Sequence, residues 1–401
     1  MTTDASKTSH SDDRTDPSTD DRSRRAAMIP DEEWSAPEAT VMASIRDALD
    51  ADEPTVLATV VGVEGSAYRG PGAKMLVAGD AGVGSITAGC LEDVLIDLAG
   101  EVRADGTPRV ERFDLTGDDD VWGLGVGCNG VVDVLLEPLD SGYRPVVDAY
   151  DGGEAALVYT VVDADYSAAP VGDRAVAVGD DPIPDEPPAW FGDDLADAAR
   201  EFRRQGVSDT VELPRPAGRI EVFVDGVTPP ADLVVFGTGH DISPVVELAR
   251  RVDFRVTVAG FRGADATSER FPAADEVRSL SPARVRDELD LDADTYAVVM
   301  THNFVDDAIA VDELLASDVP YVGLMGPPER FEEIADQWHE EGREVSPSEL
   351  DRLYTPVGLD LGGGTPYQIA YSIVAELLAI RYGRAPDHLR EAEMLDRRLQ
   401  P

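Results

Sequence analysis

Residues 56–98 read VLATVVGVEGSAYRGPGAKMLVAGDAGVGSITAGCLEDVLIDL, and this stretch sets the fold class. It opens as a β-branched strand run and passes through a loop of Gly, Ser and Arg. A second apolar run follows over Met75 to Ala78, and AGCLED then leads into an apolar helix. Glycine stands where backbone turns sharply or approaches a ligand, since a residue without Cβ meets no steric penalty at positive φ. Strand, hairpin and helix in this order predict an α/β domain. The chemistry-bearing residues left in its loops are Glu64, Ser66, Arg69, Lys74, Cys90 and Glu92.

Lys74 is one of only two lysines, the other being Lys7, among 34 basic residues. An ammonium suits an anion as a point charge, and Arg69 offers a planar fork for phosphate or carboxylate. For a single Lys taken alone, a pair with one of the many surface carboxylates is the favoured reading. Cys90 has two readings of the same kind: a small buried hydrophobe, or a thiol at a helix start, where free N–H groups and the dipole favour a thiolate.

The chain has 401 residues, enough for two or three domains. Its 80 acidic and 34 basic residues give a net charge of −46, which excludes the basic footprint that nucleic acid or an anionic membrane requires. Acidity with almost no lysine is the pattern expected of a halophilic cytoplasm, where concentrated salt screens self-repulsion. Two cysteines, Cys90 and Cys128, rule out a disulfide scaffold. No apolar run reaches the roughly 20 residues of a membrane span. The polar segment 1–35 carries no signal-peptide core and reads as a disordered acidic tail of a cytoplasmic protein.

Along the chain, Glu38 to Leu49 has helical spacing and Arg109 to Leu115 reads as a strand before an acidic turn at Gly117 to Asp120. A second Gly-rich loop holds Gly127 and Cys128 and leads into the strand Val131 to Glu137. Neither cysteine has CxxC or Cys/His spacing, so the metal-type option is two thiolates meeting in space. Residues 141–228 read as an intermediate α/β region packing with the preceding 36–140 domain. It has strands at Ala155 to Val162, Arg174 to Val178 and Ile220 to Val224, and a helix from Trp190 to Gln205. Asp225-Gly226 reads as a hairpin or loop signal, and the region offers no chemistry beyond scaffold.

From 229 to 385 the pattern is that of a nucleotide-binding type fold, followed by a tail, 386–401. The apolar strand Ala231 to Phe236 leads into Gly237-Thr238-Gly239-His240-Asp241-Ile242, then a helix over Ser243 to Val252 and a strand over Phe254 to Ala259. Ile242 stands where a dinucleotide fingerprint has its third glycine, and Gly260-Phe261-Arg262 ends the next strand without an acid for a ribose. His302 and Asn303 follow the strand Ala297 to Thr301, at the edge where open α/β sheets bind ligands, and His240 is placed to face the same crevice. Finally, Thr365, Pro366 and Gln368 start a helix with a capping box, and Gly383 ends it. The glycines 362–364 before it serve an anion or a chain reversal equally well.

Taken together, GSAYRGPGAKMLV, GSITAGCLED, GLGVGCNG, FGTGHD, VVMTHN, YVGLMG and PVGLDLGGGTPYQIAYSIVAELL resemble the XdhC/CoxI family, accessory proteins of xanthine dehydrogenase and related molybdenum hydroxylases. The resemblance spans roughly residues 40–140 and 230–383. It implies an N-terminal XdhC/CoxI domain, a Rossmann-like C-terminal domain, and a chaperone that binds the molybdenum cofactor, a molybdopterin, and delivers it in sulfurated form to an apo molybdenum hydroxylase. For that cargo Arg69 and Lys74 are expected at its anionic part and Cys90 and Cys128 near the metal or the transferred sulfur. Glu92 is expected to orient a donor or take a proton. Ser66, Gly89, Gly127, Gly237, Gly239, His240 and His302 complete the candidate binding set. Whether sulfur passes through a cysteine of this chain or comes from a separate cysteine desulfurase is left open, and delivery surfaces suit a homodimer. Where the family commonly has acid-x-Arg and a Ser-Arg-rich loop, this chain has Gly260-Phe261-Arg262 and GPPERF. The alternative reading is an NAD(P)-dependent oxidoreductase, with Arg262 favouring a 2′-phosphate, and a third is a scaffold holding hydroxylase subunits.

Overall fold

The computed structural model describes residues 35–116, 130–216, 218–262 and 265–388. Gly127, Cys128, the acidic turn after Thr116 and both chain ends therefore lie outside the described residues. The chain divides into two compact units, one running from Thr40 to Val227 and the other from Thr228 onward with residues 37–39.

The first unit runs α1 (Glu38–Ala51), β1 (Val56–Gly65), β2 (Lys74–Ala78), β3 (Ala81–Gly84), α2 (Glu92–Asp105), β4 (Arg109–Asp114) and β5 (Gly130–Pro138). After a short 3-10 turn come α3 (Arg144–Asp151), β6 (Ala156–Ala164), β7 (Arg174–Val178), α4 (Asp193–Gln205), β8 (Asp209–Arg215) and β9 (Gly218–Val227). Two antiparallel sheets result, in the orders β3-β2-β1-β5-β4 and β7-β6-β9-β8. Strand alternation sorts side chains between faces. Val56, Ala58 and Val60 pack with Leu95, Ala99 and Val102 of α2, while Leu57 joins α1, α3 and Val158 of the second sheet. Burying each such Leu or Val contributes about 1.5–3 kcal/mol.

These sheets are two copies of one motif. Val60 bonds to Ala73 O and Gly72 N, and Val161 bonds in the same way to Asp173 O and Gly172 N. Each ladder is irregular at the next residue, between Val60 and Gly62 and between Val161 and Asp163. Thr59 stands between Lys74 and Leu135, as Thr160 stands between Arg174 and Phe223. The outer helices both end at a left-handed glycine, Gly106 and Gly206. The segment expected to be an unspecific intermediate region is thus a second version of the first. The expected helix from Trp190 begins only at Asp193, and Trp190 lies before it, buried, its indole N–H donating to Asp173 at 2.7 Å.

The copies are joined by reciprocal buried ion pairs. Lys74 of the first meets Asp225 of the second at 2.8 Å, with the two side chains 4% and 6% exposed. Arg174, the residue at Lys74's position in the second, pairs with Glu137 of the first. Glu137 and Asp225 themselves hold matching positions, opposite Leu57 and Val158. Glycine is needed at Gly72, with φ +92, where a Cβ would approach Asp225 and Ser208 at 3.0 and 3.1 Å. Its twin Gly172, with φ +87, backs onto Pro108 at 2.5 Å.

The second unit contains β10 (Ala231–Phe236), α5 (Ile242–Arg251), β11 (Phe254–Gly260), β12 (Glu276–Ser279), α6 (Val285–Glu288), β13 (Thr295–Val299) and α7 (Phe304–Leu315). It ends with β14 (Tyr321–Leu324), α8 (Pro328–Glu340), α9 (Pro347–Leu350), β15 (Leu353–Tyr354) and α10 (Pro366–Arg381). Its six strands are parallel in the order β12-β11-β10-β13-β14-β15. Helices α5 and α10 cover one face, and α7 and α8 the other. Both faces are covered, so β10, β13 and β14 are apolar almost throughout. Strand order reverses between β10 and β13, which opens a crevice at their carboxyl ends. Among the described residues, no helix is long and apolar enough to cross a membrane.

Candidate functional site

In the first unit, Ser85 to Glu92 wraps over the start of α2. Glu92 is 2% exposed. Its carboxylate accepts the backbone N–H groups of Thr87 at 2.7 Å, Leu91 at 3.1 Å and Ile86 at 3.2 Å, as well as the Thr87 hydroxyl. Thr87 Oγ1 in turn accepts from Cys90 N at 3.0 Å and Leu91 N at 3.1 Å. A carboxylate accepting several N–H bonds at a helix start offsets both the dipole and the unpaired donors. This changes two expectations. Glu92 is the internal anion of the turn rather than an acid or base facing a ligand. The N–H groups expected to be free beside Cys90 are already bonded. Cys90 remains partly exposed at the edge of this turn, next to exposed Gly89, whose φ is +104.

An open cleft of 520 Å³ lies on this turn, lined by Tyr68, Ser85, Thr87, Ala88, Gly89 and Asp93 among others. Tyr68 is 64% exposed. The partly buried Arg69 reaches the backbone oxygen of Ser85, a lining residue, with Nη1 at 3.4 Å. Ser66 is exposed in the same hairpin loop, and Gly130, where the described chain resumes, packs against Ser66 backbone. Lys74 does not join them. Its ammonium points between the two sheets, bonded to Asp225 and to Gly72 O at 2.9 Å, because a charge this deeply buried requires a counter-charge.

The duplication separates what the fold needs from what the site needs. Counting from the matched glycines, Tyr68 and Arg69 correspond to Ala168 and Ala169, and Cys90 and Glu92 to Trp190 and Gly192. The second copy folds without Tyr68, Arg69 or Cys90 at those positions, and starts its helix without the carboxylate that closes the first copy's turn, whereas the buried cation at Lys74 recurs as Arg174. Sequence reading missed this, although PGAKMLVAGD at 71–80 and VGDRAVAVGD at 171–180 carry it, and a search for internal repeats would have found it.

In the second unit, the crevice between β10 and β13 brings together Gly237, Gly239, Asp241 and His302. Gly237 has φ +137, and a Cβ there would lie 2.5 Å from Met300 O. Its N–H bonds to Ala259 O, so this glycine serves close strand packing and offers no donor to a phosphate. Asp241 is a residue that sequence reading passed over. Its carboxylate lies over Gly239, with Oδ1 2.2 Å from where a Cβ would stand, and Oδ2 meets His302 Nε2 at 2.8 Å. His302 is held at φ +58 and its side chain is 58% exposed. His240 is exposed beside the turn. Ile242, in the third-glycine position, is fully buried. Arg262 is paired with Asp306 at 3.1 Å. The acid that the ribose position lacks has thus appeared at the helix start, where a diphosphate would meet its charge.

Glu376 inside this unit accepts the Tyr321 hydroxyl at 2.6 Å and Gly358 N at 2.9 Å. Burial, and the Glu376 carboxylate beside it, push the Tyr321 hydroxyl well above its ordinary range. A 770 Å³ cavity lined by Asp232, Arg255 and Glu276 opens at the opposite, amino-terminal edge of the sheet, away from the ligand edge of such folds.

Known proteins resemble the chain along most of its length. The XdhC and CoxI family matches residues 48–114 and the XdhC Rossmann domain residues 233–377. A probable xanthine dehydrogenase subunit from Bacillus subtilis is 31% identical over 339 residues, covering 83% of this chain and 95% of that protein. The uncharacterized protein YqeB of Escherichia coli is 28% identical over 167 residues, 41% of this chain and 30% of its own length. A crystal structure of a xanthine dehydrogenase from Bacillus halodurans superposes with a TM-score of 0.69 at 29% identity, covering 88% of this chain and 97% of that one.

Proposed function

Because the chain belongs to the XdhC and CoxI family, we propose that it is an accessory protein of a xanthine dehydrogenase-type molybdenum hydroxylase, which binds the molybdenum cofactor and delivers it to the apo-enzyme during or after sulfuration. One observation carries the reading: a motif built twice in one unit, of which only the first copy has Tyr68, Arg69 and Cys90 at the matched positions, with an open cleft lined by Tyr68 on that copy's turn. The residues present suit the cargo. A molybdopterin has a flat ring, an anionic phosphate and a soft metal–dithiolene centre; the cleft is lined by the exposed Tyr68, the Arg69 guanidinium bonds to lining Ser85, and the Cys90 thiol follows lining Gly89 in the chain. Cys90 is the sulfur ligand or sulfur carrier on the described side. Cys128, outside the described residues, is its proposed partner. The oxidoreductase alternative has less support, since Asp241 places negative charge where a dinucleotide diphosphate would sit.

The test is molybdenum and pterin content per chain, on protein purified anaerobically in high salt from cofactor-producing cells, together with activation of an apo-hydroxylase. Near-stoichiometric pterin, lost in Cys90→Ala or Cys128→Ala, is expected. Protein without pterin that binds NADH or NADPH overturns the proposal.

A further inference from the structure

The cleft over Ser85 to Asp93 has a chemical selectivity of its own. Its backbone donors at Ile86, Thr87 and Leu91 are spent on Glu92 and that of Cys90 on Thr87, so these four are not available to a phosphate. The exposed charged residue that lines it, Asp93, is an acid, and an anion approaching it would be repelled. Asp93 is exposed and has no hydrogen-bond or ion-pair partner among the described residues. Across the cleft stands Tyr68, a large aromatic side chain left 64% exposed, at a position where the second copy of the motif has alanine. An exposed aromatic face, two hydroxyl residues and a carboxylate with open lone pairs make a site for a flat, neutral heterocycle that presents N–H donors along one edge.

Resting on the function proposed above, we infer that this cleft takes the ring end of the cofactor, its aminopyrimidinone edge, and not its phosphate. The 2-amino group and adjacent ring N–H of a pterin are two parallel donors, the arrangement that meets a carboxylate in a two-point, charge-assisted pair. Asp93 accepts that pair, Tyr68 stacks on the ring, and Ser85 and the backbone of Ala88 and Gly89 border its polar rim. The anionic tail then leaves the cleft on the side of Arg69, and the metal end lies toward Cys90. Tyr68 and Asp93 are both exposed, so substituting them leaves the core intact.

The test titrates the full-length chain with 6-hydroxymethylpterin, a fluorescent pterin without phosphate, in parallel with cofactor retention. Saturable pterin binding is expected, weakened about tenfold in Asp93→Asn, as suits loss of a charge-assisted pair. Tyr68→Ala should weaken it similarly and Tyr68→Phe should retain it, with melting temperatures unchanged and inorganic phosphate failing to compete. If the cofactor is retained but free pterin binding is indifferent to both Asp93→Asn and Tyr68→Ala, or inorganic phosphate displaces the pterin, the inference fails while the proposed function stands. If wild-type protein retains no cofactor at all, the proposed function fails and takes this inference with it.

Discussion

Replacing Lys74 by Met is expected to destabilise the first unit without any ligand present. Asp225 would keep the Ser208 hydroxyl at 2.8 Å but lose its counter-charge in a site where both side chains are almost fully buried. Breaking a buried pair by removing one partner costs about 3–5 kcal/mol. The remaining hydroxyl contact argues for the lower end, about 3 kcal/mol. For a unit of this size that corresponds to a fall in Tm of roughly 6–12 °C, at about 2–4 °C per kcal/mol. The measurement is thermal unfolding by circular dichroism, in low salt and in molar salt. A buried pair is screened far less than surface pairs, so the deficit should persist in both. Removing both charges, with Lys74→Met and Asp225→Leu together, should recover most of the loss, since a buried pair replaced by apolar groups is often neutral. An unchanged Tm in Lys74→Met, or a double variant no better than the single, refutes the reasoning. A single variant that melts normally but no longer retains pterin would return Lys74 to the role of anion ligand.

Other expectations follow from buried polar groups. Glu92→Ala strips an acceptor from three N–H groups and a hydroxyl; it should cost about 1–3 kcal/mol and speed alkylation of Cys90 by iodoacetamide, and an unchanged alkylation rate would mean the turn does not depend on it. Tyr321→Phe takes the hydroxyl donor from Glu376 and leaves it the Gly358 N–H; it should lower stability by about 1–3 kcal/mol in urea titration of the second unit. Gly237→Ala places a Cβ 2.5 Å from Met300 O at φ +137 and should cost at least about 1–3 kcal/mol, seen as a fall in Tm. Glu349 is drawn from its ordinary 4.5 down to about 2, first by its bond to Arg343 and further by Ser346. Its folded value is depressed, so its contribution is complete above about 4.5 and is lost as pH falls toward 2. The stability gap between wild type and Glu349→Gln should therefore be constant from about pH 7 to 5 and close below about pH 4, and a gap that widens in acid would reverse the assignment.

Several features were legible in residue order because they depend on local pattern. The parallel sheet of the second unit follows from short apolar strands separated by helical spacing. Likewise the helix after Thr365 starts where Gln368 Oε1 takes the N–H groups of Gly364 and Thr365, and turns over at left-handed Gly383. Boundaries moved where a tertiary contact claimed a side chain: Trp190 left the helix it was assigned to because its indole is held by Asp173.

Residue order settles which positions are apolar in which period, and hence the α/β class, the strands around residues 56–98 and the crevice loop at Gly237. The fate of each charge is set by packing between distant segments. Lys74 and Asp225 lie far apart in the chain, and Asp225 read as a turn residue. Only the facing of two repeated sheets buries them together, and burial then demands that they pair. The same holds for Glu92, whose carboxylate is consumed by the turn that its own helix closes, and for Asp241, which reaches His302 across the sheet. Periodicity specifies a face, but the partner on the opposite face is set by packing. In this chain the packing leaves Tyr68, Gly89 and Asp93 facing the cleft.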